Sequence, residues 1–279
     1  MASQSVNYAK AFGFHSEVAA AIFAIIYVPF LGWFIRQSIV RPTYVHFILV
    51  LFCLIRLAAF VLRALLISVN SVGETLGALV ADEILFSVGF FSLLYSSYTL
   101  VLDLEIMQNR PESSNPIIRL TKNRRLFRLT LLIAVILGVV SSTSASKTGT
   151  FSSSGKTERQ ASTILFLILT LLQAFQTLLL AQMEIAARGL EKQINESFGS
   201  KHAMSILLAG SVLLLVREVF STATMTNISK QNEEHFWYPF MAVPEILLVI
   251  LLSTPGLVPR RDDVQQRYPQ VQSTQSFQA

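Results

Sequence analysis

The chain has 279 residues, of which 52 % are hydrophobic and only 14 % are charged, with a mean hydropathy of +0.54 and a net charge of +5. Soluble domains carry about 25 % charged residues, so this composition excludes an ordinary soluble globular protein. The single cysteine, Cys53, excludes an intramolecular disulfide.

Seven apolar segments predict an all-α polytopic membrane protein that folds as a seven-transmembrane helix bundle. The predicted spans cover residues of about 18–35, 43–67, 75–102, 126–142, 163–185, 203–225 and 236–258, within a transmembrane domain of residues 17–259. Residues 1–16 lack a basic stretch followed by a short apolar core, so we interpret them as an extracytoplasmic N-terminus and not as a signal peptide. The polar residues 260–279 are predicted to form a disordered cytosolic tail.

The second and third spans carry charges inside otherwise apolar sequence. Span two contains Arg56 and Arg63, and span three contains Asp82 and Glu83. Each embedded charge costs roughly 2.5–3.5 kcal/mol on insertion scales, so these side chains are expected to face the bundle interior and to find partners. Asp82 and Glu83 point about 100° apart on a helix and cannot serve the same neighbour. We expect Arg63 to pair with one of these two acids, because all three residues lie close to the same short loop.

The loops after the third and fourth spans differ in character. The first of them is the most basic loop of the chain, with Arg110, Arg119, Lys122, Arg124 and Arg125. We interpret its charge as a positive-inside signal, with a nucleic-acid or specific lipid patch as the weaker alternative. Residues 141–162 are rich in Ser, Thr and Gly and are predicted to form a flexible, exposed loop.

Spans six and seven carry the remaining embedded charges. Span six contains Arg217 followed by Glu218, and span seven contains Pro244 followed by Glu245. Pro244 removes a backbone donor and is expected to kink the helix beside the carboxylate. The aromatic run at 236–238 is expected to lie in an interfacial belt.

The embedded charges comprise three arginines and four carboxylates: Arg56, Arg63, Asp82, Glu83, Arg217, Glu218 and Glu245. Such a set implies a satisfied network, a hydrated cavity, or both. We expect a pocket in the outer half of the bundle, bounded by spans two, three, six and seven, that binds the head group of an amphiphile. Arg56 or Arg217 would contact its anionic groups, and Glu245 or Glu218 would contact its amines. A closed structural network of the same side chains is the alternative.

Two stretches of the chain carry a family resemblance. Residues 56–63 place a small residue, an aromatic residue and a final arginine at fixed spacing, and a run from Arg217-Glu218 through 234–238 ends in Pro255-Gly256. Both resemble patterns of the fungal seven-helix lipid-translocating exporter family, known for resistance to aminocholesterol-type toxicants. Arg56 and Met241 stand where that family carries acids. The ending at 244–259 also resembles an uncharacterised fungal seven-helix membrane family.

The resemblance implies a fungal source and a role in lipid or amphiphile transport or in membrane-stress resistance. It implies membrane lipids and a lipid-like small molecule as partners, and the plasma membrane, or another endomembrane, as the location. A seven-helix sensor or receptor of unknown ligand and a structural membrane protein without transport are the alternatives.

Catalysis and cofactor binding are not expected from this sequence. The histidines are scattered and form no paired metal-ligand motif: His15, His46, His202 and His235. A metal-dependent lipid hydrolase would need three ligands converging at one depth, so we expect neither an enzyme nor a bound metal. The sequence also lacks a phosphate-binding loop, and we expect no nucleotide cofactor and no nucleic-acid partner.

Topology follows from the distribution of Lys and Arg outside the spans. One set of loops holds 14 of these residues and the other holds 5. The positive-inside rule therefore places the N-terminus outside and the C-terminus in the cytosol. On this topology the acceptor sequence at Asn227 lies outside, where glycosylation is feasible, whereas the one at Asn195 lies inside.

The topology predicts that Asn227, and not Asn195, carries glycan when the protein is made in a eukaryotic host. An Asn227→Gln variant should then lose the glycan-dependent mobility shift on a gel, and Asn195→Gln should keep it. A tag on the C-terminus should be inaccessible from outside intact cells. Labelling of that tag without permeabilisation would contradict the topology.

Overall fold

The computed structural model describes residues 13–107, 123–148, 153–187 and 198–259, and all regular structure in these ranges is helical. Its seven long helices are each apolar enough to cross a membrane. They are α1 Glu17–Val40, α2 Tyr44–Ser68, α3 Leu76–Met107, α4 Arg124–Thr148, α5 Ser153–Ala187, α6 Ala203–Thr224 and α7 Glu234–Leu252. The protein is an integral membrane protein with an all-α seven-helix bundle, as the sequence predicts.

Some sequence predictions fall outside the described residues. The described chain begins at residue 13, within the predicted extracytoplasmic segment, and the predicted cytosolic tail 260–279 is not described. The same holds for most of the basic loop, at 108–122, and for the second acceptor sequence at Asn195.

Helix α3 lies at the centre of the bundle. Consecutive helices pack side by side along the chain, and α3 also packs against α5 and α6. Its sequence explains this position, because small and hydroxyl side chains let neighbouring helices approach closely. These side chains are all buried: Gly89, Ser92, Ser96, Ser97 and Thr99.

The first and last helices are joined at the ends where they begin. Ser16 caps α1 by accepting a hydrogen bond from the Ala19 backbone N–H at 3.1 Å. The backbone N–H groups of His15 and Ser16 in turn donate to the Glu234 carboxylate, at distances between 2.7 and 2.9 Å. The rings of Phe23 and Tyr238 stack at 5.0 Å between the same two helices. These contacts close the bundle.

The outward faces of the helices remain apolar. Ile25 is 68 % exposed, Phe47 61 % and Leu129 60 %. Large exposed apolar side chains on every side of a soluble protein would be unfavourable, but on a membrane-spanning bundle they are the surface that meets lipid.

The prediction of a flexible loop at 141–162 is wrong for the residues that the structure describes, 141–148 and 153–162. Helix α4 continues to Thr148 and α5 begins at Ser153, ten residues before the predicted start of span five. Two of the hydroxyl groups that suggested a loop instead form hydrogen bonds between α4 and α5. Ser141 donates to the Gly155 carbonyl at 2.6 Å, and Ser162 donates to the Ala134 carbonyl at 2.7 Å.

Candidate charge network and outer cavity

A bidentate ion pair joins α2 to α7 in the bundle core. The Arg56 guanidinium donates through Nε to Glu245 Oε2 and through a terminal nitrogen to Oε1, both at 2.6 Å. Its remaining donors reach the Leu85 and Phe86 carbonyls at 3.3 and 3.1 Å. Arg56 is fully buried and Glu245 is 3 % exposed, so the pair is separated from solvent. Two parallel charge-assisted hydrogen bonds fix its geometry as well as its charge.

Arg217 on α6 extends this ion pair into a network. Its Nε donates to Glu245 Oε1 at 2.8 Å, so one carboxylate serves two arginines. A terminal nitrogen of Arg217 contacts the neighbouring Glu218 carboxylate. The guanidinium carbon also lies 3.6 Å from the centroid of the Phe90 ring. Two arginines and two glutamates make this inner network electrically neutral.

Gly89 on α3 makes room for the Arg56 guanidinium. A Cβ atom added at Gly89 would lie 2.6 Å from one terminal nitrogen of Arg56 and 2.8 Å from its central carbon. The guanidinium is held in place by its hydrogen bonds to Glu245 on α7 and to the Leu85 and Phe86 carbonyls on α3. The glycine is therefore a packing requirement of the network.

A second ion pair joins α2 to α3, near the loop that connects these two helices. Arg63 donates to Asp82 Oδ2 at 2.5 Å through a terminal nitrogen and at 3.2 Å through Nε. This confirms the predicted pairing and selects Asp82 over Glu83. Aromatic rings surround the guanidinium, with centroids 3.8 Å away for Trp237, 4.4 Å for Phe86 and 4.5 Å for Phe14. Cation–π attraction of this kind is strongest at a tryptophan face.

Glu83 has a partner that the sequence interpretation missed. Its carboxylate lies 3.7 Å from an Arg159 guanidinium nitrogen and accepts a hydrogen bond from the Ser142 hydroxyl at 3.1 Å. Arg159 was assigned to an exposed loop, and the early start of α5 brings it to the bundle instead. With Arg159 as a fourth cation, four arginines match the four embedded carboxylates.

A cavity of about 120 Å³ lies above the inner network. Its lining comes from α3, α4, α5, α6 and the start of α7, with one side chain from α2. The charged members of this lining are Arg63, Glu83, Arg159, Arg217 and Glu218, and the aromatic members are Phe86, Phe90, Phe166 and Trp237. The lining also includes Gln231 and Asn232, at the end of the bundle that the positive-inside rule places outside.

The expected pocket is therefore corrected in two respects. Arg56 and Glu245 do not line this outer cavity, because each has its hydrogen bonds filled within the closed network beneath it. Helices α4 and α5 form one side of the cavity, although the sequence assigned the pocket to spans two, three, six and seven. Of the expected ligand contacts, only Arg217 and Glu218 face the cavity.

The start of α7 also differs from the expectation. A π-helical turn, Tyr238–Ala242, is followed by Val243 and then by Pro244. The Val243 N–H donates to the Tyr238 carbonyl across this turn. The irregularity expected at the proline thus takes the form of a wider helical turn, a feature frequent at functional sites. Trp237 is 4 % exposed and packs in the core, so its assignment to an interfacial belt is wrong.

Asn227, the predicted glycosylation site, lies at the end of the bundle that the positive-inside rule places outside. Its side chain is exposed, and its Oδ1 accepts a hydrogen bond from the Lys230 backbone N–H at 3.1 Å. This hydrogen bond caps the short helix Ile228–Asn232. The side-chain nitrogen that would carry glycan is not used in the cap.

Comparison with known families identifies the group to which this chain belongs. The family described as "Domain of unknown function (DUF7702)" matches residues 16–258. The chain belongs to this family. The DUF7702 segment contains all seven long helices, both ion-pair systems and the outer cavity. No curated protein and no solved structure matches the chain.

The described part of this DUF7702 chain contains no set of side chains suited to bind a metal ion. No group of three or more His, Cys, Asp or Glu side chains there is placed to hold a metal ion. Every embedded carboxylate contacts an arginine instead: Asp82, Glu83, Glu218 and Glu245. The carboxylates and arginines of the site thus neutralise one another, or they are available to the charged groups of a ligand.

The Arg63–Asp82 pair predicts a strong coupling between these two positions. Removing one partner of a buried pair costs about 3–5 kcal/mol, because the other charge stays buried. Arg63→Leu alone should therefore lower the thermal midpoint of the purified protein, and Arg63→Leu with Asp82→Leu should recover much of the loss. Arg63→Leu with Glu83→Leu is the matched control and should show additive losses. Additive losses in both double variants would mean that no such pair exists.

The close approach at Gly89 predicts that Gly89→Ala destabilises the protein by about 1–3 kcal/mol, the usual range for an overpacked core. Gly32→Ala is the control, because a Cβ there meets no atom within 4 Å and alanine is the better helix former. Thermal unfolding in detergent measures both. Equal midpoints for the two variants would show that the Arg56 guanidinium moves aside at little cost.

Proposed function

We propose that this integral membrane protein binds the polar head group of an amphiphile in the outer cavity and acts in lipid or amphiphile handling, by transport or in membrane-stress resistance. The observation that carries the proposal is the lining of the cavity. It combines three arginines and two glutamates with four aromatic rings, inside a bundle of membrane-spanning helices. Ionisable residues at such positions are costly and commonly mark ligand or ion pathways.

The charge pattern of the lining supports a particular class of head group. Guanidinium groups favour phosphate or carboxylate, and the carboxylates of Glu83 and Glu218 favour an amine. A head group with both kinds of charge, or an amine-bearing long-chain base, would match this mixture. The aromatic rings add surface for cationic or apolar parts of the ligand. The resemblance of residues 56–63 to the lipid-translocating exporter family supports the same class of ligand.

A structural role without a ligand is the second candidate, and one observation favours it. The inner network is closed, since Arg56 and Glu245 satisfy each other and a second arginine completes the contact. On this view the outer cavity would hold only water. The two roles make different predictions for residues of the network and residues of the cavity.

Glu83→Gln tests the ligand role, because it removes a cavity charge while an amide can still accept the Ser142 hydrogen bond. We expect the variant to remain as abundant in the membrane as the native protein. Its affinity for a long-chain base should fall by about 10-fold or more, since hydrogen bonds to charged groups are worth about 1.5–3 kcal/mol. Binding to purified protein and tolerance of cells to the base are the two measurements.

Two further variants serve as comparisons for Glu83→Gln. Glu17→Gln removes an equal charge from an exposed position on α1, outside the cavity, and should change neither binding nor tolerance. Glu245→Gln should lower abundance and tolerance together, because it breaks the closed network. A Glu83→Gln protein that keeps full affinity, or that loses affinity no more than Glu17→Gln does, would contradict the ligand role.

A further inference from the structure

A second cavity, of about 190 Å³, lies at the opposite end of the bundle from the outer cavity. It is formed where α1 ends, α2 begins and the chain turns after α7. Its lining includes Trp33, Arg36, Arg41, His46, Thr254 and Gly256. An engineered cavity of about 150 Å³ is large enough to hold a benzene molecule, so this one has room for a small polar head group.

We call this second cavity, at the end of the bundle that the positive-inside rule assigns to the cytosol, the inner cavity. Its lining is basic. Among the described residues, its lining contains Arg36 and Arg41 but no aspartate or glutamate. Both arginines are exposed, and neither forms an ion pair within the described ranges of the chain. The embedded arginines of the bundle, by contrast, all contact carboxylates. Two guanidinium groups that line one cavity, with no acid in the described part of its lining, favour an anionic ligand.

Helix dipoles act on the same cavity and need to be weighed. The C-terminal ends of α1 and α7 each bring about half a negative charge, and the N-terminal end of α2 brings about half a positive charge. Their sum is about half a negative charge. Two full positive charges from Arg36 and Arg41 outweigh it, so the cavity keeps a positive field.

Another part of the cavity wall is a tight turn of the chain after α7. Gly256 adopts a φ of 83°, a left-handed conformation that favours glycine. The short helix Phe198–Lys201 packs so closely against this turn that a Cβ added at Gly199 would lie 2.6 Å from the Leu257 nitrogen. Close packing and the glycine conformation thus fix the position of this wall in the fold.

The last turn of α1 places exposed apolar side chains at the inner cavity. Val40, which lines it, is 65 % exposed, and the adjacent Ile39 is 77 % exposed. An amphiphile whose polar end occupies the cavity could lay its chain along this surface. The positive-inside rule assigns this end of the bundle to the cytosol, where the membrane leaflet is rich in anionic lipids.

We propose that the inner cavity binds a phosphate-bearing group, supplied by the head group of an anionic membrane lipid, with Arg36 and Arg41 as its main contacts. The site is separate from the outer cavity and does not depend on the function proposed for it. A soluble phosphate compound would present the same chemistry to the two arginines, and the experiment distinguishes these two sources.

The test measures binding of three probes to the full-length protein in a neutral detergent: dioctanoyl phosphatidic acid, dioctanoyl phosphatidylcholine and inorganic phosphate. Tryptophan fluorescence reports binding, because Trp33 lines the cavity and Trp237 is the only other tryptophan of the chain. We expect phosphatidic acid to bind saturably and at least tenfold more tightly than phosphatidylcholine. The double variant Arg36→Gln with Arg41→Gln should lose about 30-fold in affinity, the effect of two basic groups near an anionic lipid.

The matched control is Arg125→Gln with Arg128→Gln. It removes the same charge from exposed positions near the start of α4, at the same end of the bundle but outside the cavity. Its affinity for phosphatidic acid should stay within about threefold of the native value. Inorganic phosphate that binds as tightly as phosphatidic acid and competes with it would support the phosphate site and assign it to a soluble compound. Equal losses in the two double variants, or no saturable binding of either phosphate probe, would overturn the proposal.

Discussion

The Glu245 carboxylate, shared between Arg56 and Arg217, is the interaction on which the rest of the bundle core depends. This carboxylate joins α2, α6 and α7. Arg56 also donates hydrogen bonds to two backbone carbonyls of α3. In a low-dielectric interior an unpaired charge is far more costly than a paired one, so these helices have to meet at this point. Gly89 reflects the same constraint, because any side chain there would enter the space of the guanidinium.

The charges of the bundle divide into an inner group that is closed and an outer group that borders a cavity. The Arg56–Glu245 pair does not line this cavity, whereas Arg217 and Glu218 belong to both groups. Arg217 contacts Glu245 below and lines the cavity above. A ligand charge near Arg217 or Glu218 would therefore act on a side chain that also helps to hold α6 and α7 together. The π-helical turn Tyr238–Ala242 lies at this junction, with Met241 in the cavity lining.

The two ends of the bundle present different chemistry to the membrane. The outer cavity carries charges of both signs and aromatic rings, while the described lining of the inner cavity carries two arginines and no acid. Amphiphile handling at one end and recognition of an anionic lipid at the other would place polar sites near both surfaces of the membrane. The closed network between them separates the two sites.

The sequence by itself determined the seven spans, their order and the set of embedded charges, because length and hydropathy decide which segments can leave water. It also determined that Asp82 and Glu83 serve different partners, since adjacent helical residues point about 100° apart. Only the tertiary structure decided that Arg56 meets Glu245, 189 positions away, and that Arg159 joins the bundle. Such pairings depend on how far each helix is rotated and shifted against its neighbours, which no local pattern records. The same reason explains why Trp237, read as an interfacial residue, lies against Arg63 in the core.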